Sequence, residues 1–350
     1  MSGGVDSAVA AALLVEQGHD VVGVHMKLHD APPASVKSAS AGHCCGLDDA
    51  LDARRTADRL GIPFYVLDLR EPFKKAVSDT FAAAYLAGRT PNPCVACNGV
   101  LKFRVLMSRA IALGADALAT GHYARIVDGR RLAIARDPDK DQSYFLFPMT
   151  PAAVAKTVFP LGGATKIEVR AHAERLGLPV AAKPESQEVC FVPDDDHTRF
   201  VREAAPDVAA AGEIVDEAGQ VLGRHDAYYR YTVGQRRGIG VSLGQPAYVV
   251  RVEPDTRRVV VTTDPTRVGA VALRASGANW HDRPDPGETV QVRIRHRGAL
   301  APATVDAADD GTFVARFHDP VRAVAPGQAA VVYRGEVVLG GGYIDRAGVA

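Results

Sequence analysis

The chain has 350 residues, of which 47% are hydrophobic, and its 41 basic side chains balance 41 acidic ones. This length predicts two or three domains. The balanced charge gives no global basic field for nucleic acid, although a local patch is compatible with it. No apolar run approaches the roughly 18 residues of a membrane helix, and no basic segment precedes the first apolar stretch as in a signal peptide. The five cysteines are odd in number and clustered. They indicate a reducing cytoplasm and reactive or metal-binding thiols.

A glycine-rich string stands directly before a helix-forming stretch. Residues 2–7 read Ser-Gly-Gly-Val-Asp-Ser, and a helix is predicted over 5–17. Backbone N–H groups, a helix dipole and two hydroxyls at such a turn suit a phosphate. The alternative is a capped helix after a tight turn, since Ser and Asp are ordinary N-cap residues. The chain contains no Walker motif. The string resembles the pyrophosphate loop of the ATP pyrophosphatases, which activate a carbonyl oxygen with AMP.

A loop of this type normally follows a buried parallel strand. Met1 directly precedes Ser2, so that strand is absent from the sequence. A sheet without it would leave the backbone groups of two neighbouring strands unpaired. We expect a misassigned start codon or a truncated chain.

The first 125 residues alternate apolar runs with amphipathic segments. Strands are predicted at 21–26, 64–67 and 117–120, and helices at 48–60, 72–86 and 104–113. The alternation predicts an α/β fold with a doubly wound parallel sheet, covered on both faces. Ligands bind beyond the carboxyl ends of such strands. The loop at 2–7, Met26 and Gly121 with His122 would then share one rim.

Residues 150–180 are predicted to be helical, most clearly over 166–176. Beyond about residue 205, short alternating strands separated by turn residues predict an all-β half. Three domains are therefore expected: a catalytic α/β domain over 1–204, a small central β-rich domain over 205–270, and a C-terminal β-barrel over 271–350.

Cys94 and Cys97 form a C-x-x-C in a predicted loop rich in proline and asparagine. Three interpretations compete: a zinc site, an iron–sulfur site completed by Cys190, and a redox or nucleophilic thiol pair. Cys190 alone reads as a small core residue. The string 43–46, which contains His43, Cys44 and Cys45, is interpreted as a surface loop rather than a ligand set.

Two arginine clusters lie in the β-rich half. Residues 224–237 hold four arginines interleaved with three tyrosines, and residues 293–297 hold three arginines and His296. Such clusters are typical either of a solvated strand face or of a surface for RNA phosphates and unstacked bases. The composition does not decide between the two interpretations.

Six segments occur together in this order and resemble the bacterial tRNA-specific 2-thiouridylases, nearly from end to end. They are SGGVDS at 2–7, GRTPNP at 88–93 followed by Cys97-Asn98, ATGHY at 119–123, KDQSYF at 140–145, VCF at 189–191, and PGQ at 326–328 with GGG at 340–342. The resemblance implies a pyrophosphatase domain, a small central domain and a C-terminal β-barrel. It also implies ATP-dependent thiolation of the wobble uridine, position 34 of tRNA.

The resemblance carries roles to particular residues. Cys97 matches the nucleophile and Cys190 the cysteine that carries sulfur as a persulfide. The implied nucleotide-binding residues are Gly3, Gly4, Val5, Asp6, Ser7, Ala8, Val9, Ala10, Met26 and Gly121. The implied tRNA-contacting residues are Asn92, Pro93, Cys94, His122, Lys140, Asp141, Gln142, Arg295, His296 and Gln328. Cys94 stands where some members carry Asp, and His296 where some relatives carry an aromatic residue.

The implied chemistry uses ATP and Mg²⁺, with AMP and pyrophosphate released. A persulfide on Cys190 delivers sulfur, and Cys97 resolves the resulting disulfide, leaving a Cys97–Cys190 bridge to be reduced. The alternative is a [4Fe–4S] cluster on Cys94, Cys97 and Cys190. The implied partners are the tRNAs for Lys, Glu and Gln and a sulfur donor protein of a cysteine desulfurase relay, in the cytoplasm and without a membrane.

Two other functions remain open from the sequence. One is a different carbonyl-adenylating ligase, which would need an ammonia source rather than two distant thiols. The other is a non-catalytic RNA-binding protein of a sulfur relay, which would show no tRNA-dependent turnover of ATP.

Overall fold

The computed structural model describes residues 1–30, 47–185, 189–192 and 194–349. The chain forms two compact units. The first comprises Met1–Ser78, Cys94–Asp196 and Glu336–Val338, and the second comprises Asp79–Pro93, His197–Gly335 and Leu339–Ala350. The predicted loop at His43, Cys44 and Cys45 lies outside the described residues.

The first unit has the alternating organisation that the sequence predicts. Its helices are α1 (Val5–Glu16), α2 (Leu47–Leu60), α3 (Arg70–Phe73), α5 (Pro93–Ala96), α6 (Met107–Ala112), α7 (Pro151–Ala155) and α8 (Lys166–Arg175). Its strands are β1 (Gly23–Lys27), β2 (Phe64–Asp68), β3 (Leu118–Ala119), β4 (Arg125–Val127), β5 (Arg131–Ala133) and β6 (Thr157–Val158).

The parallel strands come as two pairs. β1 pairs with β2, with Gly23 opposite Phe64, and β3 pairs with β6, with Leu118 opposite Thr157. Among the described residues no strand joins the two pairs into one sheet. The Met1 amine instead lies against β1 and donates to the carbonyl of Val24.

The helix that follows the glycine-rich string is buried nearly all round. The small side chains of α1 allow this, since Ala8, Val9 and Ala12 are at most 2% exposed. They pack against Val169 and Ala173 of α8 in one apolar cluster. α8 begins with a capping box, in which the Thr165 side chain accepts from the Glu168 N–H and Glu168 accepts from the Thr165 N–H. The capping box fixes where α8 begins, and the apolar contacts hold α8 against α1.

Two local predictions in this unit are wrong. The region 150–180 is not continuously helical, because Thr157 and Val158 form β6 and pair with β3. Cys94 and Cys97 do not lie in a loop either. Cys94 belongs to α5, and Cys97 opens a π-helical segment, Cys97–Leu106, that leads into α6. Pro93 explains the helix, since proline is well placed in the first turn, where its missing N–H is not needed.

The second unit is mostly β. It contains α4 (Asp79–Leu86) and α9 (His197–Ala204), which pack together through the edge-to-face ring contact of Phe81 with Phe200. Four strands form a sheet in the order β8-β7-β10-β9: β7 (Gly212–Val215), β8 (Val221–His225), β9 (Tyr248–Glu253) and β10 (Arg258–Thr262).

The C-terminal strands close into a six-stranded barrel in the order β11-β14-β13-β12-β15-β16, with β16 pairing back to β11. They are β11 (Gly269–Trp280), β12 (Thr289–Arg293), β13 (Ala301–Ala307), β14 (Phe313–Arg322), β15 (Ala329–Arg334) and β16 (Val337–Val349). Alternate residues along β12–β14 point inward to one core that includes Val292, Val305 and Phe313. The predicted barrel is confirmed. In the described part of the chain, no helix combines the length and apolarity needed to cross a bilayer.

Candidate active site

The glycine-rich string, residues 2–7, is called the phosphate loop below. Gly3 has φ +77°, and a Cβ there would lie 2.3 Å from the carbonyl oxygen of Asp49. Only glycine fits this position. Gly4 is the N-cap of α1, and no side-chain hydrogen bond caps the helix there. The first N–H groups of α1, which no helix satisfies internally, are therefore left for an anion.

A second close approach fixes the other side of the phosphate loop. A Cβ on Gly121 would lie 2.7 Å from the carbonyl carbon of Asp6 and 2.8 Å from the amide nitrogen of Ser7. Gly121 follows β3, so the end of this strand touches the loop backbone directly. The phosphate loop and Gly121 therefore lie together, as the predicted shared rim requires.

The carboxylate of Asp6 is held by two donors on the same oxygen. Its Oδ1 accepts from the Tyr123 hydroxyl at 2.8 Å and from Lys166 Nζ at 2.7 Å. Burial and the neighbouring Asp6 charge raise the pKa of Tyr123, so the phenol keeps its proton and remains a donor.

Lys166 leads to a second carboxylate. Its Nζ lies 2.5 Å from Glu185 Oε1, and Lys140 Nζ lies 2.7 Å from Glu185 Oε2. Burial opposes ionisation of Glu185, but the hydrogen bonds from the two lysines outweigh it and lower its pKa to about 2. The row Asp6–Lys166–Glu185–Lys140, called the charge row below, thus alternates two carboxylates with two ammonium groups.

Lys183 clamps the phosphate loop from the other side. Its ammonium donates to Gly3 O at 3.1 Å, to Asp49 Oδ1 at 2.7 Å and to Asp52 Oδ2 at 2.7 Å. Burial opposes its charge, but these acceptors outweigh burial and raise its pKa. α2, which carries both aspartates, is thereby tied to the loop backbone.

Two of the three described cysteines pack against one apolar cluster. Cys97 and Cys190 both contact the group formed by Leu28, Leu69, Phe73, Val77 and Leu101, although 92 positions separate them in the chain. Phe191 reinforces the contact, with its ring 5.4 Å from that of Phe73 in an edge arrangement. Cys94 is exposed. The fold therefore groups the two thiols that the sequence assigns to catalysis.

Cys97 is held as a thiol. Burial raises its pKa, and the charge of Lys102 only partly opposes this. Lys102 Nζ lies 3.2 Å from His122 Nε2. An ammonium can only donate, so Nε2 accepts, and the Nδ1 proton lies toward Thr120 Oγ1 at 2.8 Å. Burial and Lys102 lower the pKa of His122 well below its usual range, so the ring is neutral.

The three cysteines do not form a metal site in this structure. In the described ranges, no group of three or more His, Cys, Asp or Glu side chains is placed to hold a metal ion. The zinc and iron–sulfur interpretations of Cys94, Cys97 and Cys190 stay predictions.

Several predicted tRNA-contacting residues serve the local structure. Asp141 is 4% exposed, and its carboxylate accepts from the N–H groups of Ala135 and Ser143 and from the Ser143 hydroxyl. Gln142 exchanges two hydrogen bonds with the backbone of Tyr123. His122 is 9% exposed. Gln142 thus holds the backbone of Tyr123, and Asp141 orders the segment between Ala135 and Ser143.

The predicted loop 88–93 is held within the second unit. Thr90 N donates to Pro326 O at 2.8 Å, and Gln328 Nε2 donates to Thr90 O at 2.9 Å. Arg89 reaches Asp345 at 3.0 Å. Gly327 has φ +92°, and a Cβ there would lie 3.0 Å from Arg89 Cβ and from Thr90 N, a tight contact. Gln328 thus orders the loop that contains Asn92 and Pro93.

Most arginines of the two clusters face solvent, but the Arg293 guanidinium lies over the Tyr333 ring, 5.3 Å from its centroid. Arg224, Arg230, Arg236, Arg237 and Arg295 are exposed, and His296 is half-buried. The interleaved tyrosines are not available for stacking, because Tyr228, Tyr229 and Tyr231 are 3–5% exposed. Tyr231 instead donates to Ile239 O. The exposed groups at this surface are therefore guanidinium groups, which suit phosphates, and not aromatic rings on which bases could stack.

Sequence reasoning missed the charged residues around the phosphate loop. Lys102, Lys166, Lys183 and Glu185 carry no motif of their own, and a single lysine in a helix reads as part of a solvated face. Lys102 alone gave a weak signal, since it follows Cys97 by five positions. The partners of the others come from distant segments.

Comparison with known proteins assigns the chain. Three family models match in order: the tRNA methyl transferase HUP domain over residues 1–194, the tRNA methyl transferase PRC-barrel domain over 198–263, and the aminomethyltransferase beta-barrel domain over 271–344. A solved U34-tRNA thiolase NcsA from Methanococcus maripaludis, with its [4Fe-4S] cluster, is 21% identical and covers 59% of this chain and 65% of its own. Its TM-score of 0.34 is too low to support a conclusion about this chain.

Curated relatives match along nearly the whole chain. The tRNA-specific 2-thiouridylase MnmA of Geobacter metallireducens is 49% identical over 354 residues, which cover 99% of this chain and 96% of the relative. The enzyme of the same name from Kineococcus radiotolerans is 51% identical, covering 99% of this chain and 97% of the relative. With the phosphate loop, Cys97 and Cys190 in one unit, and with this identity over both units, the chain belongs to the tRNA-specific 2-thiouridylase MnmA family.

Proposed function

We propose that this protein replaces the C2 oxygen of uridine 34 in tRNA by sulfur, at the expense of ATP. One observation carries the proposal: the phosphate loop shares a compact unit with Cys97 and Cys190, which pack on one apolar cluster. An ATP-activating loop alone would suit many ligases. A pair of thiols brought together from distant segments suits the transfer and release of sulfur.

ATP activates the oxygen first. The C2 oxygen of uracil is a poor leaving group and must be activated. It attacks the α-phosphorus of ATP, the bond from this phosphorus to the bridging oxygen breaks, and pyrophosphate leaves. The resulting O-adenylate can then depart as AMP. The first N–H groups of α1 and the loop backbone stabilise the negative charge that develops on the phosphates.

Sulfur transfer then uses both thiols. The terminal sulfur of a persulfide on Cys190 attacks C2, and the C2–O bond breaks as AMP leaves. The Cys97 thiol loses its proton to water, the thiolate so formed attacks the Sγ of Cys190, and the bond between Sγ and the transferred sulfur breaks. Its electron pair stays on the sulfur at C2, which becomes the thiocarbonyl. A dithiol reductant returns the Cys97–Cys190 disulfide to two thiols.

The phosphate loop offers one carboxylate ligand for Mg²⁺. Mg²⁺ in nucleotide sites is commonly bound by one or two carboxylates together with the phosphates and water. Asp6 supplies one carboxylate, and both of its contacts within the described residues are made by Oδ1. Asp6 Oδ2 is the oxygen that would hold the ion, which would neutralise charge on the phosphates.

The partners follow from the same chemistry. The exposed arginines of the second unit would bind tRNA phosphates, and the persulfide requires a donor protein fed by a cysteine desulfurase. We propose the tRNAs for Lys, Glu and Gln as substrates and the cytoplasm as the location. The boundaries 1–204, 205–270 and 271–350, and the tRNA-contacting roles of Lys140, Arg295, His296 and Gln328, remain predictions.

The description of the first family model names methyl transfer instead. The two thiols on one cluster favour sulfur chemistry. Incubating the protein with tRNA, ATP, Mg²⁺ and a persulfide donor, followed by mass analysis of the digested nucleosides, decides between them. The proposal predicts ATP-dependent exchange of oxygen for sulfur at uridine 34, and a methylated uridine would contradict it.

Replacing Gly121 by Ala should weaken ATP binding by at least tenfold, because the new Cβ would collide with the backbone of Asp6 and Ser7. Isothermal titration with ATP measures the effect. Gly163→Ala is the matched control, since nothing lies within 4 Å of a Cβ at Gly163. Unaltered ATP affinity in Gly121→Ala would show that the loop backbone does not bind the nucleotide.

Replacing either Cys97 or Cys190 by Ser should eliminate thiolation while pyrophosphate release with tRNA persists, because adenylation needs neither thiol. Cys94→Ser is the matched control and should slow thiolation only partly. Nucleoside mass analysis and a pyrophosphate assay report the two steps. If Cys94→Ser abolished thiolation and bleached a visible absorbance of anaerobically prepared protein, an iron–sulfur cluster would replace the persulfide mechanism.

Cys94 and Cys97 should differ in reactivity toward iodoacetamide. Cys94 is exposed and should be alkylated first at pH 7, whereas Cys97 should react slowly because burial raises its pKa. Its rate should keep rising as the pH passes the usual thiol pKa, since the thiolate forms only there. Peptide mass mapping over a pH series measures this. Cys97 alkylated as fast as Cys94 at pH 7 would contradict the buried thiol.

A further inference from the structure

The phosphate loop has no lysine of its own, but one reaches it from α8. Lys166 is the first residue of this helix, and its side chain is only 11% exposed. Its ammonium lies 2.7 Å from Asp6 Oδ1, inside the loop sequence. Its backbone N–H donates to Asp137, so the helix start that carries the side chain is itself held in place.

The two lysines beside the phosphate loop differ in how their donors are used. An ammonium group has three N–H donors. Lys183 spends three on Gly3 O, Asp49 and Asp52. Lys166 has two hydrogen-bond acceptors within the described residues, Asp6 and Glu185, and its Nζ also lies 5.8 Å from the centroid of the Tyr123 ring. One N–H of this nearly buried ammonium therefore makes no hydrogen bond to the described residues. Lys183 is therefore complete as a structural clamp, whereas Lys166 has capacity for another acceptor.

The charges point to the nature of that acceptor. Asp6 and Glu185 balance Lys166 and Lys140, so the charge row is neutral as it stands. A polyphosphate at the loop brings several negative charges close to Asp6, and the carboxylate of Asp6 would repel the polyphosphate. Lys166 sits where it screens Asp6 and can still donate to a phosphate oxygen, and such charge-assisted bonds are strong.

We propose that Lys166 contacts the phosphates of ATP with its remaining N–H. α8 would thereby supply the positive charge that a Walker loop carries within its own sequence. This assignment rests on the proposed function, because it requires ATP at the phosphate loop. It adds a nucleotide-binding residue that lies outside all the segments of the family resemblance.

A different role for Lys166 would be to neutralise Asp6 without touching ATP. The two roles predict different results when Asp6 also loses its charge. If Lys166 only neutralises Asp6, then Asp6→Asn makes Lys166 dispensable for ATP binding. If Lys166 donates to a phosphate, its loss weakens binding whether or not Asp6 is charged.

The test measures ATP binding to the full chain by isothermal titration, without tRNA and with a chelator, so that no divalent ion needs Asp6. Lys166→Met should weaken ATP binding by about tenfold to a hundredfold, the typical loss for one hydrogen bond to a charged group. Adenosine, which has no phosphate, should bind both proteins equally. Lys156→Met is the matched control, since Lys156 is an exposed lysine. Thermal melts verify folding, and Lys166→Gln takes the place of the Met variant if that variant does not fold.

A double-mutant cycle completes the test. Asp6→Asn with Lys166→Met should bind ATP about tenfold or more weakly than Asp6→Asn alone. Equal affinities of these two proteins would overturn direct contact, as would wild-type affinity in Lys166→Met. Wild-type protein that binds no ATP either with the chelator or with added Mg²⁺ would overturn the proposed function and this assignment together. Wild-type binding that the Lys166 variants leave intact would overturn the assignment alone.

Discussion

The interaction on which the rest of the site depends is the charge row Asp6–Lys166–Glu185–Lys140. Its members come from α1, the start of α8, the segment before Cys190 and the segment after β5, so one set of ion pairs ties four parts of the first unit together. Partly buried charges are stable only when paired, and removing one leaves its partner uncompensated. A change of charge at Asp6 in the phosphate loop would therefore also affect Glu185, which lies five positions before Cys190.

The glycines beside this row set the geometry that the charges then hold. Gly3 lies against Asp49, and Gly121 lies against the backbone of Asp6 and Ser7, each at a distance that excludes a Cβ. Such contacts fix the loop on two sides through backbone atoms. The first N–H groups of α1 remain open to an anion, and the loop is ordered before a ligand arrives.

Periodicity and motifs predicted the frame of the first unit well. α1, β1, α2 and β2 lie within a few residues of their predicted positions, because each carries its own apolar pattern and stop signal. The pairing of Cys97 with Cys190 on one cluster could only be inferred from a family resemblance, since the intervening 92 positions give no spacing rule. The charge row could not be predicted either, because its members are far apart in the sequence and no spacing rule connects them. The buried tyrosines 228, 229 and 231 show the reverse problem, because an Arg-Tyr pattern does not reveal which of its two residue types faces the core.

The central claim is that sulfur passes through Cys190 and is released by Cys97. A single turnover of the persulfide-loaded protein with tRNA and ATP, without a reductant and followed by peptide mass mapping, tests it most directly. The account predicts a Cys97–Cys190 disulfide in the same amount as 2-thiouridine at position 34. Thiouridine formed while both cysteines remain reduced, or formed only when iron is bound, would contradict it.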